Sequence, residues 1–566
     1  MLIDMIHDNH GEPPFKTRYR DPAVLRELGY EAIVIPDALA VVPGAFDPQE
    51  AVGTRREGTP ANIAPRRPRE LEEAIDTQVR RADELGMKVY FYGDALLLPL
   101  SVVSRHPAEF YCDDNSGRLC PGKPAVLAAL QEQVEALFDR WPGAAGLVMR
   151  TGEVYPEATP HMVGSPLHAG NCPTCRDVPT IDRLVRFITA MHDTVIRGMG
   201  KQYIHRAWTP SLAGLPTMHD DPAVYREVSS RVPVADGLHF SFKFTRGDFR
   251  QNPAAAGGGA GPGGTFNPCL FADERPKWVE FQCEREYEGK GAFPNYQGPA
   301  WRDFFAHLAA GPGGNDPKRF SVWGWSRGGG WGGPYVQREE WIDVNVGALA
   351  ALYRQRDADP AEIASAWVAS TFGVPESSPP APAITELLML SARAIRKLLY
   401  VAPLAGRGGR GGGNGELPWV KDDVLDVEAV YVSATRAVEL GMAEEAVTEK
   451  REALEIVDRI QRLFDIAAPE LPNKSQARDL TNALGYFASF AGTVAHLFMG
   501  FVRYARWVNT GRTDSDVAHA AVEHLQSAEA QWQLHTQRYA VLPGSPTMFH
   551  EHGLWERTNA CLIELT

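Results

Sequence analysis

Between Trp278 and Tyr287 the chain reads Trp-Val-Glu-Phe-Gln-Cys-Glu-Arg-Glu-Tyr, which sets Glu280, Gln282, Glu284 and Glu286 at alternate positions. Side chains of a strand alternate between two faces, so a strand through this segment turns three carboxylates and an amide to one side. Burying such a row is costly unless the row binds or reacts with something. Clustered carboxylates transfer protons: one protonates a leaving oxygen while another activates water or attacks the reacting carbon. The segment is expected to be the floor of an active site.

A floor needs walls and a scaffold. Candidate strands at 2–7, 31–37, 88–94, 146–153, 202–208, 237–244, 278–284 and 320–325 alternate with amphipathic helical stretches such as 21–29, 68–85, 125–138, 180–197 and 301–309. Strands alternating with helices imply parallel pairing, and eight such units are the count that closes a (β/α)8 barrel. The open doubly wound alternative lacks its dinucleotide fingerprint, because His7-Asp8-Asn9-His10-Gly11-Glu12 follows the first strand. After about Asp359 strand signals give way to helical patterns at 383–399, 424–440, 442–464, 476–507 and 515–539. The expected organisation is a catalytic barrel over 1–358 and an α-helical C-terminal domain over 359–566.

In such a barrel, chemistry gathers where strands end. The fourth strand leads through Arg150 to Glu153, the fifth through Arg206 to Trp208, and the sixth through Lys243 to Asp248. Carboxylates facing one another across a barrel mouth are the equipment of glycoside hydrolysis. Arg150, Arg206 and Lys243 suit an anionic substrate, since they bind a carboxylate by charge-assisted hydrogen bonds. Trp208, Trp323, Trp325 and Trp331 offer faces for sugar rings, and His7, Asp8 and His10 offer a sugar contact or metal ligands. The glycine-rich segment 254–264 lies between Asp248 and Glu280, where it could serve as a lid, and a second such segment spans 406–415. Neither ends in Gly-Lys-Ser/Thr, so neither is a phosphate loop.

The same residues resemble the α-glucuronidases of glycoside hydrolase family 67. Glu280-Phe281-Gln282-Cys283-Glu284-Arg285-Glu286-Tyr287 is similar to that family's Glu-Phe-Gln-Ile-Thr-Gln-Glu-Tyr, and Gln297-Gly298-Pro299-Ala300-Trp301 to its Leu-Ala-Pro-Met-Trp. Lys243 and Asp248 keep the family's spacing between a substrate-binding lysine and a catalytic aspartate, and Arg206-Ala207-Trp208 resembles its Arg-Ala-Phe. Asp359-Pro360-Ala361-Glu362-Ile363-Ala364, Trp367 and Thr371-Phe372-Gly373 look like its junction into a helical domain. The resemblance covers roughly residues 140 to 375. It implies Glu153 as general acid, Asp248 and Glu286 as the pair that holds the attacking water, and Glu280 on sugar hydroxyls. Lys243 and Arg206, with Arg150 nearby, would hold the uronate, and no metal or organic cofactor would be needed.

The departures fall on the substrate side. The family's N-terminal β-sandwich has no counterpart, the tryptophan after its first strand is absent from Ile6-His7-Asp8-Asn9-His10, and Arg150 stands where it has lysine. The expected activity is removal of a terminal uronic acid, α-linked glucuronate or its 4-O-methyl ether, from short oligosaccharides, as in xylan degradation. A retaining exo-glycosidase with Glu286 as nucleophile and Glu153 as acid/base is the first alternative, and a non-catalytic carbohydrate-binding barrel the second. A net charge of −14 without a basic run argues against nucleic acid. No apolar run long enough to span a bilayer stands out, and the N-terminus reads as a strand, so a cytoplasmic protein is expected. A homodimer through the C-terminal domain is what the resemblance implies. Of the seven cysteines, Cys112, Cys120, Cys172 and Cys175 could form a four-thiolate zinc site. The long spacing between Cys112 and Cys120 instead suggests reduced loop or core thiols.

Overall fold

The computed structural model describes residues 1–8, 14–41, 68–114, 116–154, 162–168, 172–209, 217–251, 266–314, 316, 318–330, 332–405 and 417–566. His10, Trp331 and the glycine-rich segments 254–264 and 406–415 lie outside them. The chain packs as two compact units, one of residues 1–248, 266–282 and 308–328, the other of 249–265, 283–307 and 329–566. The change of texture expected at 358/359 falls between the helices Glu340–Arg354 and Pro360–Phe372.

The first unit holds eight parallel strands closed into a barrel in sequential order. They are β1 (Leu2–His7), β2 (Ala32–Ile35), β3 (Lys88–Asp94), β4 (Gly146–Arg150), β5 (Gln202–Arg206), β6 (Leu238–Lys243), β7 (Lys277–Gln282) and β8 (Phe320–Gly328). Closure is made by β1 against β8, with Leu2 opposite Val322 and Met5 opposite Trp325. Strands covered on both faces need apolar residues at nearly every position, and the wholly buried Ala-Ile-Val-Ile of β2 is the clearest case. Inside, aromatic rings interlock across the barrel: Tyr90 meets Trp278 at 4.9 Å between centroids, Trp278 meets Trp323 at 5.7 Å, and Trp323 meets Tyr92 at 6.4 Å. This layer plugs the barrel and gives the groups above it a rigid base.

Five expected strands stop early: β2 at Ile35, β4 at Arg150, β5 at Arg206, β6 at Lys243 and β7 at Gln282. The expected single face of Glu280, Gln282, Glu284 and Glu286 is therefore not formed, since only the first two belong to the strand. Between β6 and β7 the described residues include only a 3-10 turn at Pro268–Phe271 in place of a barrel helix.

The second unit is mainly helical, built from Pro380–Leu399, Val427–Glu439, Ala443–Ala467, Lys474–Asn509, Ser515–Gln537 and Leu554–Leu565, among others. Its core includes Phe293 stacked against Phe487, Phe490 and Phe549 at 4.9, 5.3 and 5.6 Å. Lys474–Asn509 is long and apolar enough to cross a bilayer by composition, a run the sequence reading does not single out. Its most apolar window is 89% buried within the protein, as suits a core helix. The helix expected from 424 begins at Val427, because Asp426 caps it by accepting from the Ala429 N–H. Val424–Asp426 instead joins Val420–Lys421 and His550–His552 in a small sheet that the helical pattern hides.

Candidate active site

At the C-terminal ends of β3 to β7, alternating positions put charged side chains on the barrel's inner face. The Arg206 guanidinium is fully enclosed and grips Glu280, its Nε 3.0 Å from both carboxylate oxygens and its Nη2 2.9 Å from Oε2. Arg206 Nη1 also donates to the Tyr92 hydroxyl at 3.3 Å, and Ser241 Oγ donates to Glu280. Beneath the guanidinium lies Trp325, with Cζ 4.7 Å from the ring centroid. Beside Arg206 on the neighbouring strand, Arg150 makes a two-pronged bond to Asp94 at 2.8 and 2.9 Å and donates to Glu153 through Nη1. The other oxygen of Glu153 accepts from the Trp208 indole N–H at 3.2 Å. Lys243 Nζ sits 3.4 Å from the centre of the Trp208 ring and donates to Asp248. Glu153, Trp208, Lys243 and Asp248 thus form one connected rim.

Burial by itself would raise the Glu153 pKa, but the charges of Arg150, Lys243 and Arg206 outweigh it and hold the carboxyl below the usual glutamate range. Without substrate, Glu153 is a carboxylate. The cluster counts three cations, Arg150, Arg206 and Lys243, against four carboxylates, Asp94, Glu153, Asp248 and Glu280, so it carries one excess negative charge when all are ionised. His219 stands edge-on to Trp208 at 5.0 Å, and burial together with Lys243 pushes it down to about 3, so it is a neutral buttress.

The acids beyond β7 belong to the second unit. Arg285 adopts a left-handed backbone with φ 65°, a conformation costing about 1 kcal/mol or more in a non-glycine residue. A buried network holds it there. Arg285 donates to Glu288 at 3.0 and 2.9 Å, and Glu288 also accepts from Asn295 at 2.9 Å and from the Tyr400 hydroxyl at 2.7 Å. Glu286 packs against Gly330, whose φ is 66° and where a Cβ would stand 1.9 Å from Asp422 Oδ1 and 2.8 Å from Glu286 Cγ. Gly330→Ala is accordingly expected to displace both acids. If Glu286 takes part in turnover, kcat should fall by up to ~10²-fold, as misplaced reacting groups do. Unchanged kinetics with a normal melting profile would remove Glu286 from the reaction.

The structure brings Arg150, Glu153, Arg206, Trp208, Lys243, Asp248, Glu280 and Trp325 into the first unit's barrel mouth, as the strand-end reading expects. Trp208 and Trp325 already carry Lys243 and Arg206 on their faces. His7 packs its ring against Tyr92 and Trp325 at 5.6 and 5.5 Å, while Asp8 serves structure, accepting from Arg20 at 2.6 and 2.8 Å and from the Phe15 N–H at 2.9 Å. Sequence reasoning missed Tyr92, Asp94 and Ser241. Their signal was present: Tyr90, Tyr92 and Asp94 alternate along β3, and Ser241 precedes Lys243 by two on β6. Asp422 had no such signal.

No family model matches the chain, and no curated protein matches it. Among solved structures it is similar to a glycoside hydrolase family 138 enzyme targeting pectin rhamnogalacturonan II, with a TM-score of 0.59 and 11% identity over 95% of this chain and 62% of the other. The chain therefore spans about 62% of that enzyme's length. Looser likenesses are to a mutant of the Thermobaculum terrenum O-GlcNAc hydrolase, with a TM-score of 0.39 and 9% identity over 100% and 93% of the two chains. The family 20 exo-β-N-acetylglucosaminidase from Vibrio harveyi gives a TM-score of 0.34 and 11% identity over 62% and 53%. The likeness to the family 138 enzyme is one of fold.

Proposed function

We propose that the chain is an exo-acting glycoside hydrolase that releases a terminal uronic acid, α-linked glucuronate or its 4-O-methyl ether, from short oligosaccharides. The observation that carries the reading is the rim itself, in which Glu153 and Asp248 flank Trp208 and Lys243 with Arg150 and Arg206 close by. The motif resemblance to family 67 adds the roles. By analogy with the motif, Glu153 protonates the glycosidic oxygen and Asp248 takes the proton of the attacking water.

Lys243 and Asp248 form an ion pair. An arriving uronate carboxylate competes with Asp248 for Lys243. The same anion offsets the cations that keep Glu153 ionised, so binding favours a proton on Glu153. Substrate charge thereby favours the protonated acid.

The test is a panel of short uronic-acid-capped oligosaccharides followed by proton NMR from the first minutes. Release of a uronic acid with inverted anomeric configuration is the expected result. Release with retention would replace the water-activating base by a carboxylate nucleophile, with Glu153 as the acid/base. Turnover of neutral glycosides only would overturn the uronate assignment, and no turnover of any glycoside would leave a binding barrel.

A further inference from the structure

The barrel unit also contains a feature that the reaction does not use. Cys112, Cys120, Cys172 and Cys175 are all buried, and their four sulfurs lie within 4.8 Å of one another. Cys120 Sγ is 3.6 Å from Cys172 Sγ, which is 3.4 Å from Cys175 Sγ. Bonded sulfurs would stand about 2.05 Å apart, so these are not disulfides. Four sulfurs about 2.3 Å from a central zinc make a tetrahedron with edges of about 3.8 Å, close to the spacing observed.

From this geometry we infer that Cys112, Cys120, Cys172 and Cys175 bind one structural zinc ion as a four-thiolate site.

The local backbone is shaped for such a site. The seven residues between Cys112 and Cys120 fold back on themselves: Tyr111 bridges Leu119, the Cys112 N–H donates to Arg118 O at 2.8 Å, and the Cys120 N–H donates to Phe110 O at 2.8 Å. That turn brings the two cysteines together despite their separation. Cys172 and Cys175 sit on a second turn, in which the Cys175 N–H donates to Cys172 O at 3.0 Å. Backbone N–H groups of Asp113 and Thr174 reach the Cys172 sulfur, and that of Gly122 reaches Cys120. Such N–H to sulfur contacts support metal-bound thiolates. The four cysteines pack together as one buried cluster. Four protein ligands leave no open position, so the ion is structural and takes no part in chemistry.

Its place explains its use. One turn belongs to the connection after β3, and the other to the connection after β4, which also carries Glu153. The same two connections are tied by the short strands Leu97–Pro99 and Met162–Gly164, with Val154, the neighbour of Glu153, buried between Leu97 and Met162. Zinc and this strand pair together fix the loop that holds the candidate acid. The assignment stands whatever sugar the barrel accepts.

The experiment is elemental analysis of the full chain purified without chelators from zinc-supplemented medium, with visible spectroscopy after exchange into Co2+. The expected result is about one zinc per chain and the strong ligand-field absorption of tetrahedral cobalt thiolate. Cys120→Ser and Cys175→Ser should each bring the metal below about a tenth of that, whereas Cys269→Ser should keep it. The wild-type content decides even if a serine variant fails to fold. Iron in place of zinc, metal far below one per chain, or disulfides among the four by mass spectrometry would overturn the site.

Discussion

Glu153→Gln is expected to lower kcat/KM on a uronic-acid-capped oligosaccharide by ~10²–10⁴-fold, the range a positioned general acid contributes. Glutamine keeps the shape and still accepts from the Trp208 N–H, but it has no proton to give, and its neutral amide can only clash with or rotate away from the Arg150 donor. An aryl uronide with a good leaving group needs little protonation, so its loss should be much smaller. Equal losses on both substrates would mean that Glu153 binds substrate and does not protonate it. The pH profile adds a second check. Because Arg150, Lys243 and Arg206 hold the free carboxyl low, the protonated form dwindles as pH rises above that depressed value. The kcat/KM profile, which reports free enzyme, should therefore lose activity from the Glu153 limb at lower pH than kcat, which reports the complex with the anion bound. The limb that vanishes in Glu153→Gln is the one to assign. Coincident limbs in kcat and kcat/KM would show that substrate charge does not tune the acid.

The barrel was legible because its signal is periodic. Eight apolar segments separated by amphipathic helices leave few topologies, and the strand ends at Arg150, Arg206, Lys243 and Gln282 lie within three residues of the expected ones. Glu153, Lys243 and Asp248 could be read because polar residues just past apolar strands have few reasons to be there. The rest depended on information that no local pattern holds. That Glu280 faces Arg206, and that Asp94 holds Arg150, are pairings between strands, invisible until the barrel closes. Glu284 and Glu286 misled because alternation was carried past Gln282, where the left-handed Arg285 ends it. That Cys112, Cys120, Cys172 and Cys175 lie together is not legible from their spacing. A fold-back between Tyr111 and Leu119 makes separation along the chain a poor guide to separation in space.

Removing one partner of the Arg206–Glu280 pair should be the most damaging single change to stability in the barrel. Arg206→Met is expected to cost ~3–5 kcal/mol in urea unfolding, because Glu280, wholly enclosed, would be left a buried carboxylate without its cation. Ser241 Oγ would still donate to one oxygen, and the Tyr92 hydroxyl would lose its guanidinium donor; neither replaces a charge. Glu280→Gln should cost less than removing the carboxylate side chain outright, since the amide keeps a carbonyl for Ser241. Arg206→Met with Glu280→Met takes both charges away and fills the space with apolar atoms. That double variant should recover much of the stability lost by Arg206→Met, because the pair's own attraction largely offsets the cost of burying it. Additive losses would mean that the two residues act independently and that their contact contributes little. Neither variant should regain turnover of a uronide, however stable it becomes. An apolar floor under Lys243 and Glu153 cannot hold the sugar hydroxyls or carboxylate, so a stable double variant that still turned over uronides would take Arg206 and Glu280 out of substrate binding.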